Sequence, residues 1–220
     1  AIENIEIEED DKVKAFVGEY HPENYLLKKE NPLAVGPYGV SGYYMEARVA
    51  QAQAMKNAKQ VILDVAADFE KTFGRKYGFF EEYRMEDAEV AMVIMGSSAG
   101  TAKAAVDELR RDGVKAGLVK IRVFRPFPSE ELAKVLAGCK AVAVMDKSEG
   151  FSACGGPLFA ETAGACINLD KRPKMIDIVF GLGGRDFTVT AARSVYERLR
   201  TIAETGEVGE VYTHMGQREA

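Results

Sequence analysis

The chain has 220 residues, 47% of them hydrophobic and 29% charged, with 34 acidic against 29 basic residues and a net charge of −5. Its 11 Phe and 9 Tyr exclude a disordered chain, and a net negative charge without a long basic run argues against nucleic acid as main partner. No apolar run approaches the ~18 residues of a membrane span. The three cysteines (Cys139, Cys154, Cys166) form no Cys-x-x-Cys pair. A zinc site or iron–sulfur cluster held by this chain alone is therefore not expected, and free thiols in a reducing cytoplasm are.

Residue 1 is Ala, and residues 1–14 are acidic with Ile2, Ile5 and Ile7 but no apolar core region. They are not a signal peptide, and the chain reads as a fragment or a processed piece. Residues 1–42 show no strong periodicity, because Pro22, Pro32 and Pro37 with Gly36, Gly39 and Gly42 break any long element. Leu33, Val35, Tyr38 and Val40 make this stretch a connector pressed on a surface.

Residues 43–73 carry the clearest helical pattern. Met45, Val49, Ala52, Met55, Ile62, Val65, Phe69 and Phe73 recur mostly at steps of three and four, and Gly74 ends the run. Such a helix is roughly 45 Å long. It is expected to bridge two bodies or pack along a neighbour. Residues 75–87 lead in to the next domain.

From residue 88 strands and helices alternate. Apolar strands are predicted at 88–96, 116–124, 141–146 and 175–181, and helices at 101–112, from Ser129, at 157–166 and at 188–203. Ser129 is expected to cap its helix with help from Glu131. Strands apolar throughout imply a mostly parallel sheet covered on both faces. The prediction is thus a three-layer α/β domain over 88–204, preceded by a connector (1–42) and a long helix with its lead-in segment (43–87). A tail (205–220) frays or docks elsewhere.

Glycine-rich turns follow three strands. Gly96-Ser97-Ser98-Ala99-Gly100-Thr101 sits where a strand meets a helix, and reads first as a tight turn and second as an anion cradle. It lacks the Lys-Ser/Thr pair of a Walker loop and the full dinucleotide fingerprint. Ser148–Gly156 contains Ser152 and Cys154 with no His nearby. His21 and His214 both lie in flanking segments that read as loose, so a Ser-His or Cys-His nucleophile is not expected. Gly181-Leu182-Gly183-Gly184-Arg185-Asp186 brings one charge of each sign to the sheet's carboxyl edge, as a binding site or as an internal brace. Asp186 is placed to cap the following helix, and Gly184 is suited to a positive φ. Arg122 and Arg125 join this edge by topology. Candidate ligand or interface residues are therefore Ser97, Ser98, Arg125, Gly183, Gly184, Arg185 and Asp186, with no complete catalytic set and no metal-type cluster.

Three strings together resemble one family: residues 90–128 (VAMVIMGSSAG through RVFRPFP), 141–161 (AVAVMDKSEGFSACGGPLFAE) and 178–188 (IVFGLGGRDFT). They are similar to the second domain of the alpha subunit of 2-oxoacid:ferredoxin oxidoreductases, pyruvate synthase above all, a domain like the C-terminal domain of transketolase. Residues 35–58 and 73–90 resemble the stretch that joins its first domain to its second, so the likeness covers about residues 30–204. The resemblance implies a thiamine diphosphate enzyme that decarboxylates a 2-oxoacid and passes electrons to iron–sulfur clusters and ferredoxin. It usually ends on an acyl-CoA. It also implies that thiamine diphosphate, Mg²⁺ and [4Fe-4S] clusters are held by other domains or subunits, because no stretch here matches their motifs. No catalytic residue carries over, and the domain is expected to be an assembly module in an oligomer or complex. Two other classes stay open. One is a free-standing module binding a nucleotide or coenzyme A at the edge near Ser97, Arg125 and Arg185. The other is a thiol enzyme using Cys154.

Overall fold

The computed structural model describes residues 7–33, 36, 39 and 42–218. The chain divides into two units, Ala1–Lys76 and Tyr77–Ala220.

The first unit holds α1 (Asp10–Val17) and α2 (Tyr44–Phe73). α1 was not signalled by the pattern of residues 1–42. Asp10 and Asp11 sit in its first turn, where acidic side chains suit the positive end of the helix dipole. Phe16 packs edge-on against Phe69 and Phe73 of α2, at ring-centroid distances of 5.7 and 5.1 Å. α2 is 30 residues long and ends as the sequence predicts. Gly74 adopts a left-handed φ of 73° and its N–H closes on the Glu70 carbonyl at 2.8 Å. Of the connector's apolar residues, Leu33 is exposed, and Val35, Tyr38 and Val40 lie outside the described residues.

The second unit is the expected three-layer α/β domain. Its strands are β1 (Phe80–Tyr83), β2 (Val90–Met95), β3 (Ala116–Ile121), β4 (Ala141–Asp146), β5 (Lys174–Val179) and β6 (Tyr212–His214). They form one sheet in the order β1-β3-β2-β4-β5-β6, parallel except for β1, which pairs antiparallel with β3. Its helices are α3 (Ser98–Arg111), α4 (Ser129–Leu136), α5 (Pro157–Cys166) and α6 (Val189–Thr205). Alternate strand residues separate two buried layers. Met92, Ile94, Leu118, Ala143, Met145, Ile176 and Ile178 meet α3 and α6 through Val106, Leu109, Tyr196, Leu199 and Ile202. Val93, Val119, Ile121, Val142 and Val144 face α4 and α5 through Leu132, Leu136, Leu158 and Phe159. Each enclosed Leu, Ile or Met contributes about 1.5–3 kcal/mol.

Three sequence expectations give way here. Two short strands lie outside 88–204. In β1 (FEEY), Glu81 pairs with Lys103 and with Arg122 (2.7 Å). In the tail, β6 pairs with β5 where Asp177 N–H meets the Val211 carbonyl at 2.7 Å and Met215 N–H meets that of Val179 at 2.8 Å. Residues 212–215 therefore close the sheet instead of fraying. Ser129 caps nothing, because it is already helical. Pro128 holds the cap position, and its carbonyl accepts from Leu132 N–H at 2.9 Å.

Candidate functional site at the carboxyl edge of the sheet

Chain connections leave β2 toward β3 on one side, then return past β2 to β4 on the other. The crossover point is thus between β2 and β4, where open α/β sheets place their ligands. A pocket of about 280 Å³ lies there, lined by Met95, Phe124, Met145, Leu158 and Phe180, with Lys147 and Ser148 at its polar side. Its walls are mostly apolar and accept a hydrocarbon side chain more readily than a phosphate.

Two carboxylates are buried in the neighbouring strands, and one of them, Asp146, lines the pocket. Asp146 ends β4 with 3% exposure, and Asp177 sits within β5 with 0%. Both point to the α5 side, and both anchor the start of that helix. Asp146 accepts from Leu158 N–H and Phe159 N–H, each at 2.9 Å, and Asp177 Oδ2 accepts from Gly156 N–H at 2.5 Å. Together they satisfy backbone donors that a helix N-terminus leaves open. Gly156 is required here, because a Cβ would lie 2.3 Å from Asp146 Cγ. Burial pushes the Asp177 carboxyl up to about 6, assisted by the neighbouring Asp146 charge. Burial also raises Asp146, against the pull of its two N–H donors. Asp177 Oδ1 has no hydrogen-bond partner among the described residues. The sequence signal for this pair was a charged residue inside an otherwise apolar strand (MIDIVF) and another closing AVAVMD.

A second polar cluster ties the loop after β4 to β6. Glu149 Oε2 accepts from Tyr212 Oη at 2.5 Å and meets His214 Nε2 at 2.7 Å, while Glu149 Oε1 accepts from Phe151 N–H at 2.9 Å. The Tyr212 hydroxyl, the Phe151 N–H and His214 hold the Glu149 carboxyl down at about 2. The carboxylate in turn pushes Tyr212 up to about 12. His214 thus belongs to a strand and not to a loose segment. Tail contacts invisible to local periodicity put it there.

The residues singled out from the sequence are spread along this edge. Arg125 follows β3, pairs with Glu161 at 2.7 Å and stacks on Phe124 at 4.3 Å. Arg122 stacks over Tyr77 at 4.9 Å besides holding Glu81. Arg185 donates to the carbonyl of Gly216, so it braces the chain after β6 and not Asp186. Gly183 and Gly184 have φ of 65° and 81°, a conformation costly for any residue with a Cβ. Asp186 does not cap α6. Thr188 does, accepting from Ala191 N–H at 3.1 Å, because it occupies the cap position and Asp186 lies two residues earlier. Ser97 precedes α3 in a helical conformation and its side chain makes no cap bond, and Ser98 begins the helix. Cys154 is exposed, with Ser152 Oγ 3.0 Å from its sulfur, while Cys139 and Cys166 are buried in the α5-side layer.

Residues 88–192 match the family described as pyruvate:ferredoxin oxidoreductase core domain II. Residues 88–192 thus carry a pyruvate:ferredoxin oxidoreductase core domain II. It is 45% identical over 196 residues to pyruvate synthase subunit PorA of Thermotoga maritima, covering 89% of this chain and 50% of that subunit. It is 38% identical over 218 residues to PorA of Pyrococcus abyssi, covering 99% of this chain and 55% of that subunit. It is also 41% identical over 197 residues to ketoisovalerate oxidoreductase subunit VorA of Pyrococcus horikoshii, with 89% and 50% covered. The chain spans about half the length of these relatives. No helix among the described residues is long and apolar enough to cross a membrane.

The cofactors that the family implies can be set against these side chains. Among the described residues no group of three or more His, Cys, Asp or Glu is placed to hold a metal ion. The buried carboxylates are already engaged by backbone N–H groups, and two of the three thiols are enclosed in the core. This donor set does not fit Mg²⁺ or a [4Fe-4S] cluster.

Proposed function

We propose that this chain is the assembly domain of a thiamine diphosphate-dependent complex that oxidatively decarboxylates a 2-oxoacid and delivers the electrons to ferredoxin. On this reading thiamine diphosphate, Mg²⁺ and the [4Fe-4S] clusters are bound by other domains and subunits, in the cytoplasm. One observation carries it: the charged groups at the sheet's edge are engaged in holding the domain's own loops. Arg125 is held by Glu161, Arg185 by the Gly216 carbonyl, and Asp146 and Asp177 by the start of α5. Ser97, Ser98, Arg125, Gly183, Gly184, Arg185 and Asp186 then form a wall that faces a neighbouring domain. The names of the relatives favour pyruvate or a branched-chain 2-oxoacid as substrate, with selectivity residing outside this chain. The exposed apolar residues of α2, among them Met45, Val49 and Val65, are assigned to contacts with other parts of the complex.

The test is an assay of purified chain supplied with thiamine diphosphate, Mg²⁺, pyruvate, coenzyme A and a viologen dye. No dye reduction is expected until the remaining domains and subunits are added. Turnover by the chain alone would overturn the reading. Calorimetric binding of coenzyme A by the chain alone, lost in Arg185→Ala, would favour a free-standing anion-binding module instead.

A further inference from the structure

A groove of about 920 Å³ runs along α5, away from the pocket at the crossover point. It begins at Cys154, passes Phe159, Ala160, Ala163 and Gly164, and ends at Ile167 and the turn from Asp170 to Lys174. Its length is that of α5, roughly 15 Å. That matches about four to five residues of extended chain. The floor is apolar and low, because Ala160, Ala163 and Gly164 present almost no side chain. Ile167 stands at one end with 59% exposure.

Charge at that end is unbalanced. Lys171, Arg172 and Lys174 are exposed beside a single carboxylate, Asp170. Arg172 donates to the Ile167 carbonyl at 3.4 Å, and neither Lys171 nor Lys174 forms an ion pair among the described residues. In a chain where acidic residues outnumber basic ones 34 to 29, this local excess of cations is a reversal. β6 adds a further feature: it covers β5 only from Asp177 to Val179. The β5 residues Lys174 and Met175 that border the groove have no strand on their outer side among the described residues, which leaves backbone groups for an extended chain to meet.

We propose that the groove along α5 seats an extended acidic segment, with apolar residues alternating, of another polypeptide of the same oxidoreductase complex. The apolar side chains lie on Ala160, Ala163 and Met175, and the carboxylates meet Lys171 and Lys174. Complementary charge gives such a contact its register and its salt dependence. The proposal rests on the assembly reading above, so assembly is scored first on the wild-type chain.

The experiment places a photoreactive benzoylphenylalanine at Ile167 in the assembled complex and identifies the cross-linked peptide by mass spectrometry. The expected product is a different polypeptide of the complex, joined at a segment that carries Asp or Glu beside an apolar residue. In parallel, Lys171→Glu with Lys174→Glu should weaken association by about tenfold. Added salt should weaken the wild-type complex more than this variant. The chain's own melting temperature should be unchanged, since neither lysine is buried. An assembled complex without a cross-link at Ile167, a cross-link to a basic segment or to a second copy of this chain, or an association unaffected by the double charge reversal would each overturn the proposal.

Discussion

None of the 30 residues of α2 is buried, whereas Ala192, Val195, Tyr196, Leu199 and Ile202 of α6 are enclosed. Both helices carry apolar residues at steps of three and four. On α6 that stripe meets β2 and β4 and closes one face of the sheet. On α2 only the face containing Ile62, Phe69 and Phe73 is half-covered, and Met45, Val49 and Val65 remain exposed. Periodicity therefore states that a helix has a partner without stating where the partner is. The 77–220 unit supplies its own, and the long helix of the other unit does not.

The largest test of this contrast is Leu199→Ala on α6. Leu199 is fully enclosed, so truncation removes transfer energy and leaves a cavity, a loss of about 2–5 kcal/mol. Urea unfolding of the chain should show it as a lower midpoint with unchanged slope. A loss near zero would mean that the α6 layer collapses around the gap and is not close-packed.

The sequence made the four central strands and their covering helices legible, because AVAVMD and VAMVIM are short, apolar throughout and bounded by turn residues, which fits a strand buried on both faces better than a helix. It hid β1 and β6. Phe80-Glu81-Glu82-Tyr83 is an edge strand whose two glutamates read as surface, and Tyr212-Thr213-His214 is three residues long and held by distant partners. The edge loops were located correctly by topology, but the groups that shape them, Asp146, Asp177 and Glu149, work through contacts 12 to 65 residues away in the chain. No local pattern encodes a partner at that separation. Asp186 fails as a cap for a simpler reason: the cap position falls two residues later, on Thr188.

Asp177 offers the next test, through pH. Its folded-state value, about 6, lies above the ordinary 3.8. A raised carboxyl contributes stability that is fully present below the unfolded value and is lost as pH rises through the folded one. Between about pH 4 and pH 6 the chain should therefore lose stability from this group. Asp177→Asn keeps an acceptor for Gly156 N–H without the charge. It should flatten that window and be more stable than wild type at pH 7, by about 1–3 kcal/mol. Glu149 acts in the opposite sense, since its value is lowered to about 2 and its contribution disappears only as pH falls through that range. Comparing midpoints of the two proteins from pH 4 to pH 7 reads the titration of the Asp146–Asp177 pair, from which Asn removes one carboxyl. An identical pH slope in both would mean that the Asp177 carboxyl titrates as if solvated.

A smaller effect separates the two residues competing for the α6 cap. Thr188→Ala removes the acceptor for Ala191 N–H and should cost about 1 kcal/mol, while Asp186→Ala should change stability by less than about 0.5 kcal/mol. The reverse order would return the cap to Asp186.

The smallest expected effect bears most directly on the contrast between the helices. Val49→Ala on α2 removes two methyl groups from a side chain that is 60% exposed. In the isolated chain it should shift stability by no more than about 0.5 kcal/mol, and Ala's higher helix propensity pulls toward a gain. If α2 is covered in the assembled complex, the same change should weaken assembly instead, and Val49→Asp should weaken it far more by placing a charge in an apolar contact. The two readouts, unfolding of the chain alone and association with the other subunits, diverge only if the stripe on α2 has its partner outside this chain. A Val49→Asp variant that assembles like wild type would leave the exposed stripe as ordinary surface, and the likeness between the two helices would end at their periodicity.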